Sequence, residues 1–294
     1  MRSHQIPSHR TASTARRTRR TCSRLTRFGM AAGTVIAAAG LTSTALFSGA
    51  APAGAATSPS WAMTAGNVQQ MSGLDSATTA HFFNTPSSYG NGASLVKTPV
   101  QAGYATTPVL TYTSYAQFST DIANGNIKYP YKWVMYDPEA WSATPLNEQQ
   151  NPVKYITLFG QLAHANGLKV IQAPALDLAW VPGSVLPIQR GESGDQWFVR
   201  VNLAGAAAAA GDIFDLQNES NITSGGQYAW MFNTTASQAR AANPNVKAFS
   251  EVATDDGTAA QMATAAESIS PDGYYVAAAA IACHALTAPG PGRG

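Results

Sequence analysis

Carboxylate side chains gather where predicted strands of this sequence end. Residues 211–219, GDIFDLQNE, contain a short apolar run at 213–216 that ends in polar residues. Because side chains alternate along a strand, Asp215, Gln217 and Glu219 would share one face if the backbone stays extended. Acidic groups at the carboxyl end of a strand, just before a helix, lie where α/β enzymes carry their chemistry.

Other predicted strands end in the same way. Asp137 and Glu139 follow one strand, Asp177 follows the next, and Glu251 ends a later one, so that six of the 16 carboxylates fall at such places. Hydrolysis of a glycosidic bond needs two carboxyl groups, one to protonate the leaving oxygen and one to attack or to activate water. We therefore predict catalytic roles for Glu219, Asp215, Glu139 and Asp137.

Aromatic residues near these acids fit the same chemistry, since aromatic rings stack on the faces of pyranose sugars. The predicted substrate-binding residues are Gln217, Asp177, Glu251, Trp141, Trp180 and Tyr275. The structural alternative is that some of the acids cap the helices that follow them, as Asp at such positions often does.

Strands and helices alternate along the chain without hairpin signals, which predicts parallel βαβ units. One strand is predicted at 109–112, and five more begin near residues 132, 169, 212, 247 and 273. Two architectures fit this order. We favour an α/β fold of the (β/α)8-barrel type that is complete or lacks its last two units at the C-terminus; the alternative is an open parallel sheet, although no Gly-x-Gly-x-x-Gly phosphate loop follows any strand.

The helix boundaries carry specific signals. Asn151-Pro152 predicts a helix start, and Asn166-Gly167 predicts its left-handed end. Ser193 and Gln196 form a capping-box pattern, and we predict one helix from there to about Ala210.

The first part of the chain indicates export. Residues 1–56 begin with a segment that contains eight arginines and no acid. An apolar run and a small-residue cleavage pattern follow within the same range, and together they predict a signal peptide. The route, Sec or twin-arginine, stays open. Without this segment 10 basic residues face 16 acidic ones, so the mature chain has a net charge of −6 and lacks the basic stripe of a nucleic-acid-binding protein. We expect a secreted monomer with no stable membrane insertion.

The remaining chain divides into three segments. Residues 57–105 are rich in Ser, Thr, Gly and Asn and predict a loop-rich lead-in with one short helix at most. Residues 106–276 carry the barrel-like domain. Residues 277–294 are rich in Ala, Gly and Pro, and we interpret them as a disordered or aberrant tail.

The stretch 212–219 resembles the D-x-x-D-x-D-x-E signature of the chitinase-like glycoside hydrolases, which lies on the fourth strand of their barrel; it is also the fourth strand in the count made here, which begins at 109–112. The resemblance implies that Glu219 is the general acid and that Asp215 is the acidic residue behind the site. Gln217 replaces the acid that orients the substrate's acetamido group in that family, and this departure counts against substrate-assisted catalysis.

A broader similarity covers much of 107–276. The stretches WVMYDPEAW (133–141), NEQQNP (147–152) and LAHANGLKVI (162–171) look like secreted actinobacterial proteins of glycosidase-like barrel type, a group without an activity to transfer. We expect a glycoside hydrolase-like protein that acts on a polysaccharide or oligosaccharide without a metal or cofactor. The alternative is a non-catalytic barrel that binds carbohydrate or cell wall. His81 and His164 lack metal-ligand spacing, and no serine-hydrolase elbow is present.

Overall fold

A computed structural model describes residues 58–74, 76–92, 104–128, 130–253 and 257–276. The predicted signal peptide at 1–56 and the predicted tail at 277–294 lie outside the described residues. So do Asp255 and Asp256, which precede the last helix. Within the described ranges, no helix has both the length and the apolar character to cross a membrane.

Eight parallel strands close into a barrel in chain order, with β1 paired to both β2 and β8. Closure confirms the (β/α)8 architecture and rules out the open sheet. The strands are β1 Ser60–Thr64, β2 Tyr89–Gly92, β3 Thr107–Tyr112, β4 Trp133–Tyr136, β5 Lys169–Gln172, β6 Ile213–Leu216, β7 Lys247–Val252 and β8 Gly273–Val276.

Of the two predicted forms of the barrel, the complete one is confirmed and the one that lacks its last two units is excluded, because the two uncounted strands lie at the other end of the chain. Both β1 and β2 fall within residues 57–105, which the sequence presented as loop-rich. Their sequences, SWAMT and YGNG, are short and carry little of the apolar alternation that marks a strand. Pairing with neighbours on both sides holds them extended. The strand at 213–216 is therefore the sixth, not the fourth.

Helices cover the outside of the barrel. Described helices are α1 Ala65–Leu74, α2 Ser76–Phe83, α3 Tyr115–Ala123, α4 Leu146–Gln149, α5 Pro152–Ala165, α6 Gly194–Arg200, α7 Leu203–Ala209, α8 Gly225–Ala242 and α9 Ala259–Glu267. The start of α5 at Pro152 is confirmed, and Gly167 follows its end with the expected positive φ of 71°.

The helix predicted from Ser193 to Ala210 is two helices. The capping box of Ser193 and Gln196 is formed, so its start is confirmed. Asn202 then adopts a left-handed conformation with φ 52°, which separates α6 from α7. Its side chain lies against Gly205, where a Cβ atom would be 2.5 Å from the Asn202 amide nitrogen. Asn is one of the few residues other than Gly that tolerate this conformation, and the period of the apolar residues does not reveal the break.

Two apolar cores follow from the alternation of side chains along the strands. The smaller core fills the barrel and consists mainly of Ala62, Tyr89, Val109, Met135, Ile171, Ala173, Ile213, Phe249 and Tyr275. The larger core lies between barrel and helices, and there Tyr136, Phe118 and Phe159 stack on one another. Successive residues of a strand therefore face different cores, and this fixes which polar residues enter the barrel.

One buried carboxylate connects α3, α4 and β4. Glu148 is 1% exposed, and its oxygens accept hydrogen bonds from the Tyr115 and Ala116 amides at 2.7 and 3.1 Å. The Tyr136 hydroxyl donates at 2.8 Å and the Ser114 hydroxyl at 3.2 Å. The amides belong to the first turn of α3, where a negative charge also favours the helix dipole. Glu148 thus has a structural role.

We expect Glu148→Ala to lower the free energy of unfolding by about 3 kcal/mol, because it leaves buried donors without an acceptor. Chemical denaturation measures the change. Glu267→Ala is the matched control, since Glu267 is exposed at the end of α9 and its loss should cost less than about 0.5 kcal/mol. Equal effects of the two substitutions would contradict the assigned role.

Candidate active site

Three acids enter the barrel mouth because each lies two residues beyond a side chain of the interior core. Met135, Ile213 and Phe249 belong to that core. The same strand face then carries Asp137 after β4, Asp215 in β6 and Glu251 in β7. The Asp137 amide donates to the Tyr112 carbonyl at 2.9 Å, so the strand geometry continues to this residue. All three carboxylates lie toward the carboxyl ends of the strands, where barrel enzymes place their active sites.

A polar layer lies among the core side chains close to these acids. Tyr275 is 8% exposed, and its hydroxyl exchanges hydrogen bonds with the Asn91 side chain at 2.8 and 3.1 Å. Asn91 also donates to the Thr111 hydroxyl at 3.2 Å. Burial and the nearby Glu251 charge raise the pKa of Tyr275 well above its usual value, so the hydroxyl stays protonated. Tyr275, predicted to bind substrate, thus lies within the barrel interior rather than on an exposed surface.

Gln217 holds Asp137 in place. Its side-chain amide donates to the Asp137 carboxylate at 2.6 Å and to the Ala173 carbonyl at 2.9 Å. Burial raises the pKa of Asp137 well above its usual value, and Glu139 and Asp215 raise it further, while the Gln217 hydrogen bond opposes them. Gln217, which was predicted to bind substrate, therefore contacts a predicted catalytic residue.

Asp215 is buried with one carboxylate oxygen left without a described donor. It is 1% exposed, and among the described residues no donor reaches its Oδ1 atom. Burial, followed by repulsion from Glu219, raises the pKa of Asp215 to about 7. Glu251 is also raised well above its usual pKa, first by burial and then by Glu219 and Asp215. Neutral pH thus falls within the range over which this cluster exchanges protons.

Glu139 and Asp177 form the outer edge of the mouth. Glu139 is partly exposed, and burial, Asp177 and Glu219 together raise its pKa to about 6. Asp177 lies in the 3-10 helix Leu176–Trp180 and accepts a hydrogen bond from the Ala140 amide at 2.9 Å. Burial raises the pKa of Asp177, and its two backbone hydrogen bonds oppose this. The hydrogen bond of Asp177 connects the loops that follow β4 and β5. This fits a structural role for Asp177, the alternative to substrate binding.

Glu219 lies beyond the strand. It begins a 3-10 helix, Glu219–Asn221, so the extended backbone ends before it and the single face expected for Asp215, Gln217 and Glu219 does not continue to residue 219. Glu219 nevertheless lies near the other acids. Its charge raises the pKa of Asp137, Glu139, Asp215 and Glu251. Of the other five acids at the mouth, only Asp177 shows no effect of the Glu219 charge on its pKa.

Two tryptophans lie exposed on the loops beside these acids. Trp141 follows Glu139 and is 47% exposed, and Trp180 follows Asp177 and is 59% exposed. The Trp180 ring rests on Gly194, where a Cβ atom would come within 2.5 Å of the indole. The Trp141 carbonyl accepts a hydrogen bond from Gln149 at 2.7 Å. Both loops are therefore fixed against helices, with aromatic surface left open to solvent.

The structure brings together Asp137, Glu139, Asp177, Asp215, Glu219 and Glu251, which we call the mouth acids. Sequence reasoning missed the interior layer of Asn91 and Thr111, because β2 was not recognised as a strand. His164 pairs with Asp212 at 3.1 Å before β6, at the opposite end of the barrel. Within the described residues, no three His, Cys, Asp or Glu side chains are close enough to hold a metal ion.

These features define a (β/α)8 barrel with a carboxylate-lined mouth. No family model matches the chain, and no curated protein sequence matches it. Among solved structures, the Amycolatopsis orientalis BexX/CysO complex is similar over 78% of this chain and 86% of that chain, with 10% identity and a TM-score of 0.44. This likeness carries no functional argument. The chitinase-like stretch at 212–219 lies on the sixth strand, so its position does not match that family's fourth-strand signature.

The raised pKa of Asp215 predicts how stability depends on pH. A carboxyl whose pKa rises on folding stabilises the protein below its unfolded value, and this contribution is lost as pH increases through the folded value, here about 7. We expect the melting temperature to fall between pH 4 and 8. Asp215→Asn should flatten this fall and stabilise the protein at pH 8 by about 2 kcal/mol. Glu267→Gln, at an exposed site, should leave the slope unchanged, and an unchanged slope in Asp215→Asn would refute the assignment.

Proposed function

We propose that this protein is a secreted glycoside hydrolase that cleaves a polysaccharide by carboxylate acid/base chemistry at the barrel mouth. The observation that carries the proposal is the convergence of the mouth acids, with one carboxyl of pKa about 6 and another of about 7. A glycosidase needs one carboxyl that keeps its proton near neutral pH and a second that is ionised.

We assign the general-acid role to Glu139 rather than to Glu219, which the chitinase-like resemblance implied. Glu139 is partly exposed, so it can reach a bound sugar, and its pKa of about 6 keeps a fraction protonated near neutral pH. Its proton passes to the leaving glycosidic oxygen as the bond from that oxygen to the anomeric carbon breaks. Glu219 would act as the second carboxylate: it either attacks the anomeric carbon or takes a proton from the attacking water, and the two routes give opposite stereochemistry.

The transition state of glycoside hydrolysis resembles an oxocarbenium ion, so a negative charge on Asp137 or Glu251 would favour it electrostatically. Because the pKa of each is raised well above its usual value, this stabilisation requires the loss of a proton from one of them. Gln217 fixes the orientation of Asp137 through its 2.6 Å hydrogen bond. Trp141 and Trp180 offer stacking surfaces for sugar rings beside Glu139.

One observation favours the non-catalytic alternative. Asp177 and Asp137 already accept hydrogen bonds from the protein, as structural residues do. A barrel that only binds carbohydrate would use the same aromatic surface without proton transfer. Measurement of hydrolysis separates the two functions.

The test is release of reducing ends from a panel of α- and β-linked polysaccharides by the full chain. Glu139→Gln and Glu219→Gln should each lower kcat by about 10²–10⁴-fold, because each removes a proton donor or an anionic partner. Glu267→Gln is the exposed control and should keep full activity. Folded protein with no hydrolysis on any substrate would reject the enzyme in favour of the binding barrel.

The pH profile is a second prediction. Because Glu139 must be protonated, kcat/KM should fall above about pH 6, by about tenfold per pH unit. Glu139→Gln should remove this alkaline limb from whatever activity remains. An alkaline limb that persists in the variant would assign the general acid to another carboxyl.

A further inference from the structure

We propose that Gln217 is a positioning residue that makes Asp137, rather than Glu251, the acid that carries the negative charge deep in the mouth. The inference rests on the proposed function, and it assigns to one residue an electrostatic role that two acids could fill. Three observations support it: the two hydrogen bonds of the Gln217 amide, the lack of a similar donor to Glu251 among the described residues, and the repulsion between the two acids.

The orientation of the Gln217 amide follows from its surroundings. Its Nε2 atom lies 2.9 Å from the Ala173 carbonyl oxygen and 2.6 Å from the Asp137 Oδ1 atom. A backbone carbonyl only accepts hydrogen bonds, so the atom that faces Ala173 must be the amide nitrogen and not the amide oxygen. The same nitrogen has a second hydrogen, which it donates to Asp137. Reversal of the amide would lose both hydrogen bonds and place its oxygen against a carboxylate.

Three neighbouring strands hold this contact in place. Gln217 directly follows β6, Ala173 directly follows β5 and Asp137 directly follows β4. The strands are consecutive in the barrel, and the Ala173 amide also donates to the Tyr136 carbonyl at 2.9 Å. The Gln217 side chain therefore reaches Asp137 across the end of the strand between them, and strand pairing fixes the backbone on both sides.

This hydrogen bond favours the ionised form of Asp137, because a carboxylate accepts a stronger hydrogen bond than a neutral carboxyl does. Burial raises the pKa of Asp137 most, and three neighbouring acids raise it further, namely Glu139, Asp215 and Glu219. The Gln217 hydrogen bond opposes them and lowers the pKa. Gln217 thus stabilises a negative charge that the surroundings of Asp137 otherwise disfavour.

Glu251 has no comparable donor. Its backbone carbonyl accepts a hydrogen bond from the Tyr228 hydroxyl at 3.2 Å, but no residue in the described ranges donates to its side-chain carboxylate. The neighbouring Tyr275 hydroxyl stays protonated and adds no charge. Burial raises the pKa of Glu251 well above its usual value, and four acids raise it further, namely Glu219, Asp215, Asp137 and Glu139.

Repulsion makes the two acids compete for one negative charge. The charge of Asp137 raises the pKa of Glu251, so ionisation of the first keeps the proton on the second. Of the two, only Asp137 receives a hydrogen bond from Gln217. The charge therefore resides on Asp137, and Glu251 stays protonated. In hydrolysis, this fixed carboxylate would face the positive charge that develops on the sugar.

The test is a titration of both acids in the full chain without substrate, by carbon NMR of the side-chain carboxyl groups. The two signals are assigned from their loss in Asp137→Asn and Glu251→Gln. Gln217→Met has a side chain of similar length without donors, so Asp137 should hold its proton about tenfold more tightly. Glu251 should then lose its proton more readily, because the repelling charge is gone. A purely structural role of Gln217 would not shift the two acids in opposite directions.

Gln238→Met is the matched control. Gln238 is also partly exposed, and its amide donates to the Val199 carbonyl at 2.8 Å, but no described carboxylate accepts from it. This variant should leave both titrations unchanged. Titrations that are the same in wild type and Gln217→Met overturn the inference. So does a wild type in which Glu251 ionises at lower pH than Asp137, and this measurement decides the question even if Gln217→Met does not fold.

Hydrolysis separates this inference from the proposed function. Asp137→Asn should lower kcat by about 10²-fold and Glu251→Gln by less than about tenfold, while Gln217→Met should lower kcat about tenfold with little change in KM, because the charge acts in the transition state. A larger loss in Glu251→Gln than in Asp137→Asn overturns the inference and keeps the hydrolase. Ionisation of Asp137 before Glu251, together with no hydrolysis of any substrate, supports the role of Gln217 and rejects the hydrolase.

Discussion

Closure of the sheet between β1 and β8 is the constraint on which the rest of this structure depends. In a closed barrel each strand has two neighbours, so every alternate side chain must enter the interior. The ends of β4, β6 and β7 then meet at one rim, and the charge of Asp137 raises the pKa of Glu251, which is more than 100 positions away in the chain. An open sheet would place these ends along an edge and leave the acids more fully solvated.

Burial has opposite consequences for carboxylates in two parts of this barrel. Glu148 and Asp215 are both 1% exposed. Glu148 accepts four hydrogen bonds and holds three elements together, whereas the Oδ1 atom of Asp215 has no donor among described residues. The first arrangement stabilises the fold. The second lowers stability at neutral pH, and such a cost is typical of sites that are arranged for ligands or catalysis.

Local patterns predicted the later part of the fold well. The strands from β3 to β8 and the start of α5 follow from apolar runs and from capping residues, which act over a few positions. The same patterns failed at β1 and β2, where pairing on both sides replaces local propensity. They also failed at Asn202, because a single left-handed residue interrupts a helix without changing the apolar period.

The sequence by itself determined which strands end in carboxylates, because strand ends and polar residues can be read from neighbouring positions. Only the tertiary structure decided the state of each acid. Glu148 became a cap, Asp137 gained Gln217 as its partner, and Asp215 was left isolated with a pKa near 7. The physical reason is that burial, hydrogen bonding and repulsion depend on residues far apart in the chain, which come together only when the barrel closes.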